Sequence, residues 1–118
     1  MYTAEQHQML LEECKQWHDD LDKCRDQINV MKHELYHFAP GKTNKDTLMS
    51  IEHFHNQFHI QLINVHDVAH ELKHHLAEAK HHPELGPRVE HHRIKDKLDM
   101  LLNDCKNLDT EFHVLINS

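Results

Sequence analysis

Proline and glycine, the residues that interrupt regular backbone, fall in only two stretches of this chain. One is FAPGKTNKD, from Phe38 to Asp46; the other is HPELGP, from His82 to Pro87. Outside them an apolar residue returns every three or four positions, the period of an amphipathic helix. The pattern predicts three long helices, over about residues 3–38, 47–81 and 87–117, within a single domain spanning 1–118. Thr3 and Gln6 have the spacing of a capping box at the first start, and Pro87 suits the first turn of the third helix.

Each predicted helix carries one apolar stripe. The first reads Leu10, Cys14, Trp17, Leu21, Cys24, Ile28, Met31, Leu35 and Phe38. The second reads Leu48, Ile51, Phe54, Phe58, Leu62, Val65, Ala69, Leu72 and Leu76, and the third runs from Ile94 through Leu98, Leu101, Leu102, Cys105, Leu108 and Phe112 to Leu115. Short connections make neighbours antiparallel. The expected fold is therefore all-α: an up-down-up bundle of three helices with a coiled-coil-like seam. Leu11, Val30, Ile60, Ile63, Val68 and Val114 lie off the stripes. They leave open a second level of assembly, in which two chains dimerise into a larger bundle.

Composition excludes several functions. Formal net charge is −7 with histidines neutral, which argues against a nucleic-acid partner. Two glycines allow no glycine-rich phosphate loop, and two serines leave little room for a serine nucleophile. No catalytic constellation is visible, so no enzyme is expected. No apolar run reaches the roughly 20 residues of a membrane span, and MYTAEQHQMLLEE lacks the regions of a signal peptide. Cys14, Cys24 and Cys105 are odd in number and without CxxC spacing. They fit buried free thiols in a reducing cytoplasm.

Histidine is the departure from the ordinary. There are sixteen, nine of them between His53 and His82. Protonating all sixteen would carry the net charge from −7 to +9, so mild acidification could reverse the sign of the surface. On a helical wheel His53 and His75 point away from the stripe, His81 and His82 sit at the frayed helix end, and all four read as solvated groups. His55, His59, His66 and His70 share one flank of it and face a neighbouring helix.

Two metal-ligand sets follow, and they exclude each other. Residue numbers at one level sum to about 84 on the first and second helices and about 168 on the second and third, as antiparallel connection requires. If the histidine flank faces the third helix, His55 and His59 oppose Asp109 and His113. If it faces the first, His66 and His70 oppose Cys14 and His18. Residues four apart share a helix face, and either set offers donors that Zn²⁺ or another divalent transition metal such as Ni or Fe accepts. Charge favours the first set: His7, Arg25 and Lys32 would then face Glu90, Asp104 and Glu111. His91 falls on the third stripe, as a core histidine bonded to Glu78 or to backbone, at a level shared with His7 and His74. A buried cluster there would loosen the bundle end on acidification.

The chain thus reads as a non-enzymatic cytoplasmic helical bundle that binds another protein or itself. The alternative is a histidine-rich, pH-responsive metal-binding bundle.

Overall fold

The computed structural model describes residues 3–81 and 89–118, the side chains of 89 and 90 excepted. The expected helix start at Pro87, the exposure of His82 and the charge of Glu90 lie outside the described residues. Three helices account for nearly all of the described chain: α1 (Ala4–Phe38), α2 (Lys45–His81) and α3 (Val89–Ile116).

The helix ends follow from local chemistry. Thr3 caps α1 as expected: its hydroxyl accepts from the Gln6 backbone at 3.1 Å, and the Gln6 side chain accepts from the Thr3 backbone at 2.9 Å. After Phe38 the chain turns through Gly41, whose φ of +82° is left-handed backbone that glycine adopts without strain. Asn44 then caps α2, its side-chain oxygen accepting from the backbone of Asp46 at 2.9 Å and of Thr47 at 3.2 Å. That cap moves the start of α2 to Lys45, two residues ahead of the expected position.

The helices pack side by side into a rod of 63 × 19 × 19 Å. Its radius of gyration, 18.3 Å, exceeds the roughly 13–14 Å of a spherical domain of this length. Ring contacts fix the order of α2 against α3. Phe54 and Phe58 meet Phe112, Glu71 pairs with Lys97, and His75 meets His91, so residue numbers rise on one helix as they fall on the other. Across α1 and α3 they rise together: Trp17 meets His91, and Gln27 meets Cys105.

The core repeats a strict three–four alternation. On α1 it is buried from Leu10 through Cys14, Trp17, Leu21, Cys24, Ile28 and Met31 to Leu35, as expected. On α2 it departs from expectation after Phe58. The buried positions are Gln61, Val65, Val68, Leu72 and His75, whereas Leu62, Ala69 and Leu76 are half-buried and Leu48 is exposed. Val68, expected off the stripe, is in the core. His75, expected in solvent, is 8% exposed. The reason is periodicity. Positions 54, 58, 61, 65, 68, 72 and 75 keep the 3.5-residue repeat that a packed seam requires, whereas choosing the most apolar residue drifts off it by one position. Among the described residues, no helix is long and apolar enough to cross a membrane.

Candidate metal centre

The three seams converge on polar chemistry where α1, α2 and α3 present Cys14, His75 and His91. All three are buried, and one ligand atom of each lies within 4.8 Å of the other two. Each sits at a core position of its own helix, so the bundle's register brings them together.

His91 is held on both ring nitrogens. Its Nδ1 lies 3.0 Å from Nε2 of His75, where one imidazole donates and the other accepts. Its Nε2 lies 3.6 Å from a carboxylate oxygen of Glu13. Trp17 covers the His91 ring, with centroids 4.5 Å apart and planes 31° apart. A metal-bound histidine usually has this arrangement, one nitrogen toward the ion and the other toward a carboxylate that orients the ring. The partner expected from sequence, Glu78 or backbone, is here His75 and Glu13. His74, expected at this level, packs its ring against His70 at 4.8 Å instead.

Burial decides the protonation of these groups. It pushes the Cys14 thiol up to about 11, with the neighbouring Glu13 charge adding to the effect. Burial also lowers the proton affinity of His91; the Glu13 carboxylate opposes it, and electrostatic repulsion from His92 and Lys95 reinforces it. At neutral pH the centre therefore presents a neutral thiol and a mainly neutral imidazole, the state from which a metal ion displaces the thiol proton.

The histidine pair stands near the separation a tetrahedral ion requires. Bonds of about 2.0–2.1 Å to nitrogen and about 2.3 Å to sulfur separate neighbouring donors by roughly 3.3–3.6 Å. The histidine nitrogens, at 3.0 Å, need to part by only a few tenths of an ångström.

The two sets expected from sequence fare differently. The histidine flank of α2 faces α1: His55 lies 6.5 Å from the Tyr36 ring, and His66 and His70 line one groove with Cys14 and His18. His59 is exposed on the same helix. Asp109 instead lines the seam between α3 and α1, beside Asp20, Lys23 and Gln27. His113 turns back on its own helix, 2.7 Å from the Asp109 backbone oxygen and 3.3 Å from its carboxylate. The bond to that backbone oxygen, then the carboxylate charge, raises the His113 proton affinity. His55, His59, Asp109 and His113 are therefore not gathered into one group. Cys14, His18, His66 and His70 share a groove, but Cys14 alone of them reaches a buried donor group, through His75 and His91.

The remaining cluster among the described residues is His18, Asp19 and Asp22, on one turn of the α1 surface. It is accounted for by exposed pairing: Asp22 lies 3.5 Å from His18 and 3.3 Å from Arg25. Farther along the rod, Cys24 and Cys105 are free and buried, as expected. The hydrogen bond with Cys105, together with burial, lifts the Cys24 thiol far above the ordinary range.

No family model, curated protein or solved structure matches this chain. The functional reading therefore rests on the geometry of the bundle.

Proposed function

We propose that this chain is a non-catalytic, transition-metal-binding helical bundle, with Cys14, His75 and His91 as ligands and Zn²⁺ as the ion. The supporting observation is the convergence of three buried donors, one from each helix, within 4.8 Å of one another. A thiolate with two imidazoles is a donor set that Zn²⁺ takes readily, with a water or outside donor in the fourth place. Binding rather than catalysis is favoured because the Cys14 thiol, at about 11, has no activated thiolate to offer as a nucleophile. Three buried thiols suit a reducing compartment, and the cytoplasm is the proposed setting.

Thermal melting with added Zn²⁺ tests the proposal. At free metal about 100-fold above Kd, binding to the folded state contributes about 2.7 kcal/mol. For a domain of this size that raises the midpoint by roughly 10 °C. The increment should appear with one ion per chain, measured by elemental analysis of untagged protein. An unchanged midpoint with no metal retained rejects the reading.

A second reading, self-association, rests on Ile60 and Ile63. They lie one turn apart on α2 and are 45% and 48% exposed. It predicts a light-scattering mass of twice the 14.1 kDa chain, falling to one chain when both isoleucines are changed to aspartate. A wild-type mass of one chain at high concentration rejects it.

A further inference from the structure

Between α1 and α2 runs an open groove of about 820 Å³, of whose lining the metal reading uses Cys14 alone. Its origin is legible. Cys14 and Ala69, both small, line the groove from opposite helices, and its apolar lining is completed by Leu72, a core position, and Leu76, which is half-buried beside the core. The rim is polar and differs in sign from the chain as a whole. Lys15 and Lys73 stand on its walls with the imidazoles of His18, His66 and His70, and Asp19 is the one carboxylate lining it. The protein carries −7 overall, so a basic rim above an apolar floor is a local reversal.

We infer that this groove binds a small amphipathic anion: a soluble carboxylate with a hydrocarbon or aromatic body. The volume is that of a small-molecule site, and such sites combine an apolar lining with a few placed polar groups. The hydrocarbon lies along Ala69, Leu72 and Leu76, and the carboxylate is held between Lys15 and Lys73. Charge chooses the occupant: two ammonium groups against the single carboxylate of Asp19 repel an apolar cation and favour an anion over a neutral ligand. The groove meets the metal centre at one residue: Cys14 lines it, whereas His75 and His91 do not.

The test is a fluorescence titration of the full chain with 8-anilinonaphthalene-1-sulfonate, followed by competition with decanoate and with decan-1-ol. Saturable binding of one dye per chain is expected, and decanoate should displace it far more effectively than the alcohol. Exchanging Lys15 and Lys73 together for glutamine removes both charge-assisted contacts and should weaken dye and decanoate by about tenfold or more. Both lysines are exposed, so the melting midpoint should hold. Ala69→Phe should fill the groove and abolish binding; if that variant fails to fold, the lysine pair still decides. Met100→Ala, at an exposed position on α3 outside the groove lining, should leave the dye affinity unchanged. Lack of saturation, equal competition by alcohol and acid, or full affinity in the lysine double variant would each overturn the inference.

Discussion

Exchange of Cys14 for serine is expected to weaken Zn²⁺ binding by more than about a hundredfold, because changes to residues that merely orient ligands already cost 10–100-fold. Serine nearly matches cysteine in volume, so a fully buried position keeps its packing while losing the ionisable donor. In the Co²⁺-loaded protein the thiolate-to-metal charge-transfer band should vanish with it. Glu13→Gln should produce the smaller loss, since Glu13 touches His91 and not the ion. His55→Ala and His59→Ala should have no effect. The affinity should also depend on pH with a definite sign. With the thiol pushed up to about 11, each ion bound near neutrality releases its proton, so affinity climbs about tenfold per pH unit between pH 7 and 9. Competition with a chromophoric chelator measures both effects. A flat pH profile, or serine binding as tightly as cysteine, would show that the thiol is not a ligand.

How far this centre could be read from the chain depends on which of its residues is considered. Cys14 and His91 lie on stripes that periodicity marks without ambiguity, because α1 and α3 offer leucine, isoleucine or phenylalanine at most neighbouring core positions. His75 was hidden by its own helix. Beyond Phe58, Val65 and Leu72 belong to either seam, and the choice lies between Leu62, Ala69 and Leu76 and their neighbours Gln61, Val68 and His75, of which hydrophobicity prefers the first set. Only insistence on the unbroken three–four alternation puts Gln61 and His75 inside. Gln61 is tolerated there because it accepts from Asn64 at 3.4 Å, and among the described residues no buried side-chain nitrogen or oxygen lacks a partner.

The handedness of the bundle was the other missing piece. It turns the histidine flank toward α1, leaving Asp109 and His113 on a different seam. Pairwise charge could not settle it, since surface pairs contribute about 1 kcal/mol or less each. The Glu71–Lys97 pair, at 2.9 Å and partly exposed, is of that kind.

Phe112→Ala should be the most damaging single change to the fold, costing about 3–5 kcal/mol. Phe112 is 0% exposed. Its ring meets Phe54 at 5.4 Å and Phe58 at 5.2 Å, both edge-on, so truncation removes two aromatic contacts and opens a cavity that rigid helices cannot close. For a domain of this size the melting midpoint should fall by roughly 12–20 °C, whereas Met100→Ala, at a position 69% exposed, should move it little. Phe112 stands 21 residues along α3 from His91, roughly 30 Å away at helical rise. Sites so far apart contribute additively. Zn²⁺ should therefore raise the midpoint of the Phe112 variant by about the same increment as the parent's, provided the rod melts as one cooperative unit. Loss of that increment in the variant would mean that the aromatic end and the metal end unfold separately, each helix seam holding only its own half of the rod.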